Sequence, residues 1–309
     1  MSEIKSVIDV HHHIIPPQLV AASSQSTSGI SIPKWSIEKD LEDMDGLGIS
    51  GALLSSPNSG AVKLVRMMNT MLAEATEKAP KRYGILASLP FQDTDAALKE
   101  IEYACDTLKA DGFALQSNYA GNYISDDRFD LILEELNRCS AVVLLHPGTP
   151  GGDNLPLFGR HMSVYEFPFE TTRAVMDLIY KGKLQRYPKI RWVIAHAGGT
   201  IPYLADRLSI AKEWGAISQS PEVVLENLQS LYFELALSAS PYVFPALKRL
   251  AGASHIVFGT DYPMRSNKGI SSSIQQINDT ADFNEDETRL ILSETSQSLF
   301  PRFRKAAYL

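Results

Sequence analysis

The sequence predicts a (β/α)8 barrel of the TIM-like type, and two observations support this prediction. Short apolar runs alternate along the chain with longer segments that have the periodicity of amphipathic helices, which favours a parallel sheet. Eight such runs occur within 309 residues, a length typical of this barrel. We therefore expect one domain over residues 1–309. The competing open sheet would carry a glycine-rich phosphate-binding turn after its first strand, and here that turn holds histidines instead.

The predicted strands and helices follow one another through the chain. The strands are Val7–His11, Gly51–Ser55, Tyr83–Leu89, Gly112–Gln116, Ala141–His146, Ile190–His196, Leu231–Leu235 and His255–Thr260. The helices between them include Ile37–Leu47, Val62–Lys78, Thr94–Leu108, Phe129–Arg138, Thr171–Gln185 and Pro241–Leu250. Ser240 is the candidate N-cap of the last helix, with proline at the first helical position. The C-terminal ends of the strands meet at one rim, where active sites of this fold lie.

Composition and charge exclude several classes of function. The chain is 44% hydrophobic and 21% charged, which is ordinary for a globular protein, and its net charge of -7 argues against a nucleic-acid surface. It has no signal-peptide pattern and no apolar run approaching the roughly 18 residues of a membrane span. Cys105 and Cys139 indicate neither a disulfide framework nor a cysteine metal site. We expect a cytoplasmic protein with no nucleic-acid or membrane partner.

Two predicted connections are longer than a barrel requires. They span Ile14–Ser36 after the first strand and Pro147–Val164 after the fifth. Long loops at the C-terminal rim commonly carry lids and specificity elements. We expect the second to act as a lid or as a dimer contact.

Three consecutive histidines stand on the first predicted strand. Because side chains alternate between the two faces of a strand, His11 and His13 should share one face with Asp9, while His12 points away. Two histidines on one face can bind one metal ion. This pair lies at the C-terminal end of its strand, before a pair of prolines.

Further metal-binding residues end other predicted strands. His146 ends the fifth strand, His196 the sixth, and Asp261 follows the eighth. Imidazole nitrogens and carboxylate oxygens suit zinc, which in catalytic sites keeps one position open for water or substrate. The shared rim therefore predicts a metal site of His11, His13, His146 and Asp261.

Four segments together resemble the amidohydrolase-related decarboxylases typified by aminocarboxymuconate semialdehyde decarboxylase, which include hydroxybenzoate decarboxylases. The segments are Ile8–Pro16, Leu144–Pro147, Ala195–Gly199 and Gly259–Pro263, and the resemblance covers essentially the whole chain. It implies a divalent metal, most often zinc, held by the four residues named above. It also implies acid/base chemistry by His196 beside the metal. Asp9 either joins the metal ligands or supports the neighbouring histidines, and both interpretations stay open.

The resemblance also bears on the partner and on the number of metals. The residue matching Arg207 reaches from a neighbouring subunit toward the substrate carboxylate, which implies a homodimer or a higher homo-oligomer. Hydrolytic relatives with two metals need a lysine or glutamate bridge on strand four. This strand ends in Gln116, and a neutral amide is a poor bridge between two cations, which favours one metal.

We therefore expect a metal-dependent, non-oxidative decarboxylase of a small aromatic or muconate-type carboxylic acid. The substrate would resemble salicylate or aminocarboxymuconate semialdehyde, and zinc is the expected ion, with manganese as the alternative. Either His196 or Asp261 would deliver the proton to the carbon that loses the carboxylate. The alternative function is a metal-dependent hydrolase that cleaves a lactone, amide or carbon–carbon bond at the same site.

Overall fold

The computed structural model describes residues 6–15, 35–56, 61–151 and 155–308. Its main sheet contains eight parallel strands in the order of the sequence. They are β1 (Ile8–His13), β2 (Gly51–Ser55), β3 (Tyr83–Ala87), β4 (Gly112–Gln116), β5 (Val142–His146), β6 (Arg191–Ile194), β7 (Tyr232–Glu234) and β8 (Ile256–Val257). Beyond β4, Asn118–Tyr119 pairs with Asn122–Tyr123 in a small antiparallel hairpin.

Backbone hydrogen bonds join β1 to the chain at and after β8. Val10 N donates to Phe258 O at 3.0 Å, and His13 N donates to Tyr262 O at 2.8 Å. In the opposite direction, Asp261 N donates to His11 O at 2.9 Å. The sheet therefore curls back on its first strand, and the predicted (β/α)8 architecture is confirmed.

Helices follow the strands and cover the outside of the barrel. They are α1 (Ile37–Leu47), α2 (Val62–Lys78), α3 (Thr94–Asp106), α4 (Asp130–Arg138), α5 (Glu166–Tyr180), α6 (Lys183–Arg186), α7 (Ile201–Ser209), α8 (Pro221–Gln229), α9 (Phe244–Ala251), α10 (Asn267–Asp279), α11 (Glu285–Arg289) and α12 (Thr295–Leu299). A π-helical turn, Leu290–Glu294, joins the last two. Among the described residues, no helix has both the length and the apolarity to cross a membrane.

Some predicted boundaries are wrong for identifiable reasons. The helix predicted over Thr171–Gln185 begins at Glu166 and breaks at Gly182, whose φ of 69° is left-handed and ends the α5 ladder. The helix predicted from Pro241 begins at Phe244 instead. Ser240 is not its N-cap: its carbonyl accepts hydrogen bonds from the backbone of Val243 and Phe244. Here a turn takes the place of the first predicted helical residues.

Most of the first long predicted connection and a short piece of the second lie outside the described residues. Residues 16–34 of the first connection and residues 152–154 of the second are not described. The described end of the second contains a one-turn helix, Met162–Val164, directly before α5. The expectation of a lid or dimer-contact loop stays a prediction.

Alternating side chains divide the apolar residues between two cores. Leu53, Leu86, Leu144 and Val193 point into the barrel, where they are at most 1% exposed. Their neighbours on the same strands point outward into the larger core beneath the helices. The inner core forms a packed floor below the C-terminal rim, so the side chains that follow it on each strand face the mouth of the barrel.

We expect Leu53→Ala to lower the free energy of unfolding by about 2–5 kcal/mol, because it opens a cavity in the packed barrel interior. Urea denaturation followed by circular dichroism measures this loss. Leu131→Ala is the matched control, since Leu131 is 59% exposed on α4 and should change stability by no more than about 0.5 kcal/mol. Equal losses in the two variants would contradict the inner core described above.

Candidate metal centre and active site

The histidine run of β1 divides between two environments. His11 and His13 lie together, with their Nε2 atoms 2.9 Å apart. His12 points away and donates from its ring toward Asp9 Oδ2 at 2.8 Å. Strict alternation predicted that Asp9 would share a face with His11 and His13. This prediction is wrong, because Asp9 lies on the same side as His12. A shift in the pairing of β1 with β2 between Asp9 and His12 interrupts the alternation and places Asp9 beside His12.

The four predicted ligands converge at the mouth of the barrel. Ligand atoms of His11, His13, His146 and Asp261 all lie within 4.8 Å of one another. Asp261 Oδ1 is 3.1 Å from His13 Nε2 and 3.4 Å from His11 Nε2. The ring of His146 packs edge-on against the rings of His11 and His13, at centroid distances of 5.0 and 5.3 Å. Residues far apart in sequence thus form one compact set of donor atoms.

The Nδ1 atom of each histidine in this set already has a hydrogen-bond partner. His11 Nδ1 bonds to Glu234 Oε1 and His13 Nδ1 to Ser55 Oγ, both at 2.8 Å. His146 Nδ1 bonds to Pro147 O at 2.9 Å. These contacts orient all three Nε2 atoms toward Asp261, whose Oδ1 is buried without a hydrogen-bond partner among the described residues. Such an arrangement fits a divalent metal ion.

The electrostatics of the set also favour a cation. Burial lowers the pKa of His146 well below its ordinary value, and the neighbouring imidazoles lower it further, which favours the neutral ring. Burial raises the pKa of Asp261, but the nearby imidazoles of His13, His196 and His11 outweigh it and hold the pKa well below the usual range. Burial likewise lowers the pKa of His11, yet Glu234 and Asp261 raise it to about 9. These two carboxylates therefore favour positive charge beside His11.

The carboxylate of Asp9 bonds to the seam between β1 and β8. Asp9 Oδ1 accepts from the backbone amides of His11 and Thr260, both at 3.0 Å. Asp9 Oδ2 accepts from the His12 ring and from the Thr260 hydroxyl at 2.5 Å. Asp9 is absent from the converging ligand atoms of the described residues. Of the two interpretations left open by the sequence, this geometry favours support of the histidines over metal ligation.

His12 belongs to a buried polar network behind β1. Its Nε2 lies 3.1 Å from both carboxylate oxygens of Asp40, which also accepts from Trp35 Nε1 at 2.7 Å. Burial lowers the pKa of His12, but Asp40 and Asp9 outweigh this effect and raise it to about 10. The ring of Tyr262 stacks on His12 at 4.6 Å. The middle histidine therefore holds β1 to α1 and to the chain after β8.

His196 lies beside the four predicted ligands, and its ring makes no hydrogen bond to the described residues. Strand β6 ends at Ile194, and His196 follows in a sharp turn with a φ of 54°. His196 Nε2 is 3.8 Å from Asp261 Oδ2, and neither ring nitrogen has a hydrogen-bond partner among the described residues. Asp261 has a φ of 59°. Both residues occupy left-handed backbone, a strained conformation that is concentrated at functional sites.

Glu234 at the end of β7 is a site residue that the sequence analysis missed. It is fully buried, and its Oε1 accepts from His11 Nδ1 at 2.8 Å and from the His196 amide at 2.5 Å. Its Oε2 accepts from Ala236 N at 2.5 Å. A Cβ at Gly259 would lie 2.3 Å from Oε2, so glycine leaves the space for this carboxylate. An acid inside the apolar run Leu231–Leu235 was the available signal.

Arg207 is not part of the buried cluster. It is exposed on α7, where its guanidinium lies 5.1 Å from the ring centroid of Trp214. Tyr203 on the same helix is 88% exposed and Trp214 is 58% exposed. In this chain the arginine and its aromatic neighbours face outward.

We expect Glu234→Gln to weaken metal binding by about 10–100-fold, because the amide oxygen can still accept a hydrogen bond but lacks the charge that supports His11. Titration calorimetry with zinc gives the affinity, and circular dichroism checks the fold. Glu226→Gln on the exposed face of α8 is the control and should bind zinc like the parent chain. Unchanged affinity in a folded Glu234→Gln protein would rule out this role.

Comparisons with known proteins agree with the architecture. The amidohydrolase family model matches residues 8–302. The 6-methylsalicylic acid decarboxylase of Penicillium expansum is 34% identical, over 96% of this chain and 97% of its own length. The corresponding enzyme of Aspergillus aculeatus is also 34% identical, over 97% of each chain. The structure of 5-carboxyvanillate decarboxylase from Novosphingobium aromaticivorans, which has bound manganese, matches with a TM-score of 0.86 at 18% identity, over 97% of this chain and 99% of that one. The predicted resemblance is confirmed, and this chain belongs to the amidohydrolase family.

Proposed function

We propose that this chain is a metal-dependent, non-oxidative decarboxylase of a small aromatic acid with a hydroxyl group beside its carboxylate. The observation that carries the proposal is the convergence of three imidazoles and one carboxylate at the mouth of the barrel. Two relatives that match nearly the whole chain at 34% identity are 6-methylsalicylic acid decarboxylases, which supports a salicylate-like substrate.

The proposed ligands of a single divalent ion are His11, His13, His146 and Asp261. Zinc accepts this mixture of imidazole and carboxylate donors, and manganese is the alternative because a structural neighbour carries it. When bound, such an ion polarises a phenolic oxygen and fixes the orientation of the carboxylate. In the proposed arrangement Asp9 supports the ligands from the seam and Glu234 holds His11.

His196 is the proposed proton carrier. Decarboxylation breaks the bond between the ring carbon and the carboxylate, and the electron pair left on the ring carbon takes up a proton. The ring nitrogens of His196 are buried and have no partner among the described residues, whereas Asp261 already contacts two histidines. This difference favours His196 over Asp261 for moving the proton. Phe167, whose ring centroid is 6.3 Å from that of His146, offers a flat apolar surface near the site.

Arg207 is proposed to bind the substrate carboxylate in the neighbouring subunit of a homodimer. An exposed arginine flanked by Tyr203 and Trp214 suits an interface, since arginine and aromatic side chains are enriched there. A guanidinium can bind a carboxylate through two parallel hydrogen bonds. The cytoplasmic location expected from the sequence stays a prediction.

Metal removal and substitution of His196 should separate binding from catalysis. We expect chelator-treated protein to release no carbon dioxide from salicylate-type acids, and added zinc or manganese to restore release.

The substitution His196→Asn places at this position a residue that tolerates left-handed backbone. It should retain metal while turnover falls by about 100-fold or more. Metal content by mass spectrometry and carbon dioxide release by a coupled assay measure both effects. Rapid lactone or ester cleavage without carbon dioxide release would support the hydrolase instead.

Arg207→Ala should lower kcat/KM by about 10–100-fold, because charged hydrogen bonds to the substrate carboxylate are lost. Arg249→Ala, also exposed, is the control and should leave kcat/KM unchanged. Mixing inactive His196→Asn with Arg207→Ala subunits tests the shared site. If the arginine acts across the dimer, random exchange gives one intact site in half of the dimers, about a quarter of parent activity. No recovery after demonstrated subunit exchange would exclude action across the dimer.

A further inference from the structure

A small cavity opens beside the proposed metal centre, between the ends of β1, β2, β4 and β5. Its polar lining consists of His13, Ser55, Ser56, Gln116 and His146. Ala114 and Leu144, which belong to or pack against the inner core, lie beneath it. Gln116 follows Ala114 by two residues on β4, as His146 follows Leu144 on β5, so both side chains face the mouth of the barrel.

Two polar side chains of this cavity make no hydrogen bond to the described residues. Ser56 is 3% exposed, and its Oγ is buried without a hydrogen-bond partner in the described part of the chain. The amide group of Gln116 likewise makes no hydrogen bond to the described residues, although its backbone amide bonds to Tyr119 Oη at 3.2 Å. A buried hydroxyl without a partner is costly, so its persistence beside an active site points to a ligand group or water.

The neighbouring Ser55 behaves differently. Its Oγ accepts from His13 Nδ1 at 2.8 Å and donates to His12 O at 3.3 Å, so its hydrogen-bonding capacity is used to hold the metal centre. The side chains of Ser56 and Gln116 make no such contact with the histidines among the described residues, so they do not orient the histidines as Ser55 does.

The chemistry of the cavity lining favours a neutral polar group on the substrate. No lysine or arginine lines the cavity among the described residues, so a second carboxylate would lack a counter-charge there. A hydroxyl of serine and an amide of glutamine can each donate and accept a hydrogen bond. A ring hydroxyl or carbonyl oxygen matches these groups, whereas a methyl group would leave them unpaired.

We propose that Ser56 and Gln116 form a specificity subsite that binds an uncharged oxygen substituent, a hydroxyl or carbonyl, on the aromatic ring of the substrate. This inference rests on the proposed function and goes beyond it. The chain would then favour dihydroxybenzoates over methylsalicylates, although two relatives at 34% identity are 6-methylsalicylic acid decarboxylases.

A panel of matched acids tests the subsite. Salicylates with one further hydroxyl at each ring position in turn are compared with the corresponding methyl compounds, using the metal-loaded protein. We expect hydroxyl to exceed methyl in kcat/KM by about tenfold or more at one ring position. Equal or higher values for methyl at every position would overturn the proposal without any substitution in the protein.

Substitutions then locate the preference. Ser56→Ala and Gln116→Leu should each lower the ratio of hydroxyl to methyl kcat/KM by about tenfold, with metal content equal to that of the parent chain. The controls Ser271→Ala and Gln275→Leu, exposed on α10, should leave the ratio unchanged. An unchanged ratio in metal-loaded Ser56→Ala and Gln116→Leu would reject the subsite.

A separate measurement distinguishes the two levels of the proposal. If no acid in the panel releases carbon dioxide, the decarboxylase function fails. Calorimetric binding of the same hydroxyl and methyl pairs to the metal-loaded chain then tests the subsite by itself. A hydroxyl preference that both substitutions reduce would support it, and equal affinities would overturn it.

Discussion

The seam between β1 and the chain after β8 is the constraint on which the site depends. His11 O accepts the amide of Asp261, while the Asp9 carboxylate accepts the amide of Thr260. These bonds join the two ends of the sheet, and the same bonds set Asp261 beside His11 and His13. Barrel closure therefore also brings donor side chains together, because β1 and the chain after β8 contribute three of the four, His11, His13 and Asp261.

Buried acids surround the histidines and set the charge of the region. Glu234, Asp9 and Asp40 are each fully buried, and each contacts a histidine of β1. A carboxylate in such surroundings needs a positive partner, since its desolvation is not otherwise compensated. On one side of β1, His12 is the partner of Asp9 and Asp40. On the other side, His11 is the partner of Glu234. The strand thus separates the buried His12–Asp9–Asp40 network from the converging side chains of His11, His13, His146 and Asp261.

The sequence was sufficient to predict the barrel and the residues that converge. Apolar alternation places strand ends at one rim, so His146 and Asp261 could be assigned to the same region as His11 and His13. The environment of Asp9 could not be predicted, because a single shift in strand pairing changes which face a side chain occupies. Glu234 escaped notice because nothing in a lone acid of a short strand reveals three buried donors, two of them backbone amides. The ends of the helices near Gly182 and Ser240 depend on turns, which the hydrophobic periodicity of a sequence does not reveal.

The left-handed backbone at His196 and Asp261 limits how this site can change during evolution. Few amino acids adopt that conformation readily, chiefly glycine, asparagine, aspartate and histidine. At position 261 the backbone therefore narrows the accessible replacements to a small set, of which only aspartate and histidine are common metal ligands. At position 196 the same set contains one residue with an imidazole ring, which can act as a general acid or base. New activities on this framework would consequently arise more readily from changes in the walls of the cavity than from exchange of these two residues.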